Sequence, residues 1–590
     1  MKQAMRYAMM TMAALCLAPG AASAKADPAK VIRQSLEAAD DGFDTQKTAN
    51  LYSTWIGEAI YDSLLAYDYL ARPAKLMPGA AEAMPTVSED GKVYTFKLKK
   101  GIYFAPDEAF KGVKRELTAN DFIYTIKRLF DPAVRSPVQS PFVGKIVGLD
   151  AYAEQAKKSG RFDYDAPVEG LQAPDRYTLV IKLTAPDQTL NYLLANSHTG
   201  AMAREAIDYY GSDTGRHPVG SGPYFLKSYT PRSKIVLEAN PYYRGFTWNF
   251  QSSGEPGDDK IIKEMKGKDM PQIGRVEVDI IEEDQARWLS FDSGQHDMAE
   301  LADPASPRVL VKGKLRPEYA AKGFQLYRYA EPGITHTFIN MKDPTLGGFG
   351  KDRIALRRAL ALAYRVDDEI DQVRFGQAIR AQSNLAPGIV GYDPAYRNSI
   401  AYDPVLAAKL LDHFGYKKGA DGFRTMPDGK PLVVKINAQA HARDKARMEI
   451  WKRSLDAIGV RSDFQVSSFA DNLKAAYRCE VAMWGLGGTA SIPDGIDALE
   501  TFYGPNAYQG NLGCYQSKEF DSAFEKARIM PDGPERQALF IKMSRILEAD
   551  TPDILHLWRI RNWVTQPHVK GFKKHPIHHA DWVFLDVEKK

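Results

Sequence analysis

Residues 88–98, Ser88-Glu89-Asp90-Gly91-Lys92-Val93-Tyr94-Thr95-Phe96-Lys97-Leu98, place a turn directly before an alternating run. The turn residues Glu89-Asp90-Gly91 and the period-two pattern from Val93 predict one arm of a hairpin with an inward apolar face. Thr178 to Leu183 repeats the pattern after Asp175-Arg176. Between the two runs, Thr118 to Phe130 reads as a helix: Thr118 can cap it, Asp121 stands at the capping-box position, and Phe122, Ile126 and Leu129 share one stripe. The stretch predicts a compact α+β unit.

Mixed helix and strand patterning continues outward from this unit, without short repeats or low-complexity blocks. Asp352 precedes a helical stripe of Leu356, Leu360 and Tyr364. Asp403-Pro404 supplies a cap and a first-turn proline before Leu406, Leu410 and Phe414, and Gly415 ends that helix. Pro534 opens another, carrying Leu539, Met543, Ile546 and Leu547. Residues 252–274, rich in Gly, Asp and Lys with no apolar period, read as a surface loop.

A chain of 590 residues exceeds what one hydrophobic core holds, so two or more domains are expected. The 78 basic and 74 acidic residues are mixed along the chain and leave a net charge of +4, which gives nucleic acid no electrostatic footprint. The first 24 residues differ from the rest: Lys2 and Arg6 precede an apolar run from Ala8 to Leu17, broken by Pro19 and Gly20, and Ala22-Ser23-Ala24 fits signal-peptidase cleavage. The run is too short to span a bilayer, and Leu15 before Cys16 does not suit lipid attachment. A mature chain starting near Lys25 in the periplasm is the expectation. It keeps two cysteines, Cys479 and Cys514, which in an oxidising compartment form a disulfide or else remain buried thiols.

The order of further motifs resembles the peptide and nickel family of extracellular solute-binding proteins that serve ABC importers. Ile60-Tyr61-Asp62-Ser63-Leu64 with Tyr67-Asp68 is similar to the family's early "IYEGLxxYD", and Ser88 to Phe104 to its "SxDGxxYTFxLRxGVxF". Gly220-Ser221-Gly222-Pro223-Tyr224 and Asn240-Pro241-Tyr242-Tyr243 resemble "GTGPY … xRNPxYW". Leu289 to Asp297, Arg353 to Tyr364 and Tyr402 to Tyr416 follow in the family's order. The resemblance implies an α/β fold, a large type II two-lobed periplasmic-binding-protein clamp with an extra α+β subdomain. Residues 71–199 would be that subdomain, 25–70, 200–330 and 556–590 lobe one, and 331–555 lobe two, with hinge crossings near Ile339-Asn340 and Leu555-His556.

Met483 to Thr489, a strand end running into glycines, is the strongest ligand-site candidate, with Trp484, Gly485, Leu486 and Thr489 as its residues. It resembles the family's "GWxxDxxDP", whose first aspartate holds a ligand amine. Aligned on Pro493, Thr489 replaces that aspartate and Ile492 the later acid, while Asp494 lies close by. A neutral threonine lacks the charge-assisted bond an ammonium wants in a dry cleft. Asp40, Phe43 and Tyr52 are the lobe-one candidates, beside the acidic turn residues Asp41 and Asp44, and Tyr503 and Asn506 either line the pocket or form a turn. His575, His578 and His579 invite a metal reading, but no acid or cysteine converges on them in sequence, and a solvated tail is expected. Asp550, Asp553 and His556 lack an accompanying serine or cysteine nucleophile.

The function these features imply is capture of a peptide or peptide-like solute between two lobes for delivery to inner-membrane ABC permease subunits. The protein would act as a monomer, without cofactor, metal, nucleic acid or catalysis. The alternatives are the same clamp for an opine, glycoside, haem or metal chelate, an exported hydrolase, and a periplasmic chaperone.

Overall fold

In the computed structural model, which describes residues 26–588, the strand Val93–Lys97 lies between Thr86–Val87 and Thr178–Lys182, with Leu171–Asp175 completing a four-stranded antiparallel sheet. The leader at 1–24 lies outside the described residues. The helix Ala119–Phe130 starts at the capping box of Thr118 and Asp121, and its Phe122, Ile126 and Leu129 join Tyr94, Phe96, Leu179 and Ile181 in one core. That core also takes in Leu64, Leu65, Ala201 and Val219, so chain on both sides of 71–199 packs into it.

Seven further elements position the site: β1 (Asp27–Leu36), α1 (Leu51–Ile60), β2 (Gln325–Ala330), β3 (Gly333–Ile339), β4 (Met483–Thr489), α2 (Gly495–Leu499) and β5 (Asp553–Thr565). The five strands belong to a sheet of twelve running in the order Arg461–Val466, Val433–Ala438, β4, β3, β5, Met298–Glu300, β1, Ile273–Ile280, Lys234–Ala239, Tyr224–Thr230, with β2 and Ala378–Arg380 also pairing β5. The β1 strand runs parallel to Ile273–Ile280 over a core that includes Ile32, Leu36, Val276, Val278 and Trp248. At the other end, Val433–Ala438 and Arg461–Val466 are parallel and joined by the helix Ala442–Ala457, the crossover that a parallel pair requires. A separate core there gathers Leu360, Tyr364, Trp451 and Met483. These are the two lobes.

Two segments pass between them, one of them a strand. The first half of β5, Asp553 to Leu557, pairs β3 in lobe two, and Ile560 to Thr565 pairs β2 in lobe one. The chain makes its other passage from β2 to β3 at Glu331-Pro332. The crossing expected near Ile339-Asn340 thus lies earlier in the chain, at Glu331-Pro332, and the one expected near Leu555-His556 lies a few residues later, between Leu557 and Ile560. Along β5 every residue is buried apart from Leu555 and the run Arg559-Ile560-Arg561, which is half-buried where the strand changes lobe.

Two other expectations are corrected. Residues 252–274 contain the helix Asp258–Met265, whose Ile261 and Met265 reach the lobe-one core while Asp258 is buried against Lys573. Its short apolar stripe is masked in sequence by the charged residues between. The histidine segment is no solvated tail. His575 is fully buried, and His579 stacks on Trp55 at 5.1 Å.

Candidate functional site

Gly333, at the start of β3, permits a close approach to the end of β4. A Cβ on Gly333 would lie 2.1 Å from the Gly488 carbonyl oxygen, so β3 can start beside β4 only with glycine there. On Gly488 itself a Cβ would meet no atom within 4 Å. That open space is a cavity of about 200 Å³ whose wall includes Gly488, Thr489, His336, Asn384, Asp497 and Phe502.

Thr489 is tied to both interlobe crossings. Its hydroxyl donates to Glu331 at 2.9 Å and accepts from Arg559 at 3.2 Å. Arg559 also pairs with Glu331 at 2.6 Å, and Arg561 bridges Glu331 at 3.1 Å and Glu300 at 2.8 Å. Burial would raise the Glu331 carboxyl, but the Arg561 and Arg559 guanidiniums outweigh it and hold it below the usual carboxylate range. Glu300 is pushed up by its burial, against Arg561.

Asp497 reaches the wall from the first turn of α2. Burial raises its carboxyl to about 6, opposed by hydrogen bonds from the Ser491 backbone N–H and hydroxyl. Across the cleft, Tyr52 at the start of α1 donates to Glu37 and is within electrostatic reach of Glu300 and Arg561, while Tyr67 is within reach of Asp497. A further interlobe contact lies in the α+β unit, where Gln188 donates to the carbonyls of Arg528 and Ile529 at 3.4 and 3.5 Å. The lobes are thus in contact at this lip as well as along the crossing segments.

Of the residues picked from sequence, Thr489 and Tyr52 face this region. Trp484 is a core aromatic packed on Phe338 and Phe469, because the period-two alternation of β4 turns it inward. Gly485 and Leu486 lie mid-sheet opposite Thr337 and His336. Asp494 caps α2 and is locked between the two guanidinium nitrogens of Arg536 at 2.8 and 2.9 Å, with both side chains 1 % exposed. Asp40 accepts from Tyr229 and from Gly42 in a turn, and Phe43 is buried edge-on against Tyr229. Asp41 accepts from Ser53, and Asp44 takes a bidentate bond from Arg128. Tyr503 stacks on Phe524 and bonds Glu525, and Asn506 bonds Glu500 in a single helical turn. Cys479 and Cys514 are joined in a disulfide.

Sequence reasoning missed Glu331, Arg559, Arg561, Asp497, His336 and Asn384. Its one available signal was Arg559-Ile560-Arg561, two like charges in the middle of a long, mostly buried strand. His556 does have the partners of a catalytic triad, with Thr337 Oγ1 at 3.0 Å on one ring nitrogen and Glu369 at 2.6 Å on the other. All three residues are completely buried, so the Thr337 hydroxyl is out of reach of any substrate, and the network serves as core polar packing.

A small cavity at the strand ends of lobe two, beside the two interlobe crossings and tied to them through Thr489, has the form of a binding site in a two-lobed clamp. The chain belongs to the bacterial extracellular solute-binding proteins, family 5, whose middle-region model matches residues 75–510. It is 23% identical over 602 residues to the di/tripeptide-binding protein 2 of Pseudomonas aeruginosa, covering 98% of each chain. It is 24% identical to the periplasmic oligopeptide-binding protein OppA of Escherichia coli, covering 90% of this chain and 87% of that one. Its fold matches the Helicobacter pylori periplasmic binding protein DppA, solved with the peptide STSA, at a TM-score of 0.69 and 22% identity, over 95% of this chain and 98% of that one. Among the described residues no helix is long and apolar enough to cross a membrane.

Proposed function

We propose that this protein captures a peptide or peptide-like solute between its lobes in the periplasm, as a monomer, and delivers it chemically unchanged to an ABC permease. The observation that carries the reading is the open space in front of Gly488, at the strand ends where both crossings converge. The relatives named for di-, tri- and oligopeptides support the ligand class, and the leader at residues 1–24 supports export.

In this reading a peptide ammonium sits between Asp497 and the Thr489 hydroxyl, with the ionised Glu331 behind Thr489. Asp497 then does the work of the acid that the aligned motif lacks. The test is calorimetry with a panel of di- and tripeptides on the wild type and on Gly488→Phe, whose ring would fill the cavity from an exposed, unstrained strand position. A loss of at least about tenfold in affinity with an unchanged Tm is expected. Undiminished binding would place the ligand elsewhere, and native mass spectrometry showing only a non-peptide adduct would replace the ligand class.

A further inference from the structure

A second, larger cavity, of about 360 Å³, lies wholly within lobe one and the α+β unit, at the seam between their two cores. This volume lies in the range of small-molecule sites, roughly 300–1,000 Å³. One wall is aromatic. Phe246, Phe250 and Phe584 surround one another with centroids 5.7 to 6.4 Å apart and planes inclined by 60° to 73°, and Tyr61 and Tyr243 also line the space. Steeply inclined rings of this kind present edges and faces together, the surroundings an aromatic guest prefers.

The two polar ends differ. At one, Asp62 and Arg244 satisfy each other at 2.6 and 3.1 Å, with Ser221 donating to Asp62 and Arg244 to the Gly79 carbonyl. At the other, one Glu58 oxygen accepts from the backbone N–H groups of His579 and Ala580, and His578 packs edge-on to Phe584 with no hydrogen-bond partner on its Nε2. Burial raises the Glu58 carboxyl to about 8 and lowers His578 to about 3, so at neutral pH this end is largely uncharged yet can still donate and accept. An ammonium or carboxylate guest would bring a charge that nothing at this end is free to match.

We propose that this cavity binds an uncharged aromatic molecule carrying one hydroxyl or ring N–H, its ring among Phe246, Phe250 and Phe584 and its polar head at Glu58 and His578. No lobe-two residue lines the cavity; its nearest link to the cleft is Tyr67, which lines it and is within reach of Asp497. Occupancy therefore bridges the cores of lobe one and of the α+β unit and is separate from the solute between the lobes.

The test is calorimetric titration of the full-length protein with 4-methylphenol, with toluene as the same ring lacking the hydroxyl. We expect 4-methylphenol to bind at least about tenfold more tightly than toluene. Binding should be lost in both Ala66→Trp and Ala195→Trp, which fill the cavity from its partly exposed lining, with the unliganded Tm retained. A saturating peptide pool should leave it unchanged. Failure of 4-methylphenol to bind, equal binding of toluene, survival of binding in both filled variants, or displacement by the peptide pool would each overturn the proposal. The phenol titration reads out whether or not any peptide binds, so its failure is distinct from failure of the clamp reading.

Discussion

Two clusters of acids and arginines in this molecule look alike on paper and differ in what they can do. Asp494 and Arg536 form a pair inside lobe two, both 1 % exposed and both anchored to helices of one core. Glu300, Arg561, Glu331, Arg559 and Thr489 form a chain that runs across the interlobe segments, and its arginine side chains are 18 % and 28 % exposed. The first pair takes its hydrogen-bond partners from lobe two alone. The second draws its members from both lobes and from the cavity wall, so a ligand or a change in lobe position can re-partner it. The difference lies in surroundings rather than in residue type.

Breaking each cluster tests that contrast. Arg536→Ala should have the largest effect, about 3–5 kcal/mol of stability in urea unfolding, because it strands a buried carboxylate. Glu331→Gln should cost less, about 1–2 kcal/mol, since the glutamine keeps a hydrogen bond to Thr489 and the arginines can turn toward water. Its clearer signature should be an altered peptide affinity. Equal losses in the two variants would erase the distinction.

The smallest expected effect is in pH dependence. The Asp497 carboxyl sits at about 6 because burial disfavours its charge, so its contribution to stability is full below about pH 4 and is lost as pH rises through 6. Capture of a free-amine peptide runs the other way, since the ammonium wants the ionised form. Affinity should therefore fall several-fold between pH 7 and pH 5, and Asp497→Asn should flatten that step in calorimetry. A step that persists in the variant would assign it to another group.

The same contrast explains what could be read before folding. Asp494 and Asp497 are three residues apart, and the sequence reading took Asp494 because it lies next to the Pro493 on which the motif aligns; its side chain turns to Arg536, forty-two positions away. Trp484 misled for a related reason, since a conspicuous aromatic next to glycines is still subject to the in-out alternation of its strand. Thr489, which lines the cavity, could be picked out because a glycine-rich strand end is a local feature. Glu331 and Arg559 were not, because what makes them a site is mutual contact across 228 positions of chain.

What the sequence by itself determined are the local and additive properties: the capping box at Thr118, the alternating strand from Val93, the helix starts at Asp403 and Pro534, the two-lobed α/β class and the family. All but the last two depend on side-chain periodicity or turn chemistry within a few residues; the two-lobed class and the family rest on the resemblance that the order of the motifs carries. Only the tertiary structure decided where the lobes cross, that the histidine segment fills the interior beside Trp55, that the triad of Thr337, His556 and Glu369 is sealed, and that Asp497 and not Asp494 faces the cavity. Those depend on which faces of distant elements meet, and burial, which decides whether a charge is a ligand site or a strut, exists only once they have met.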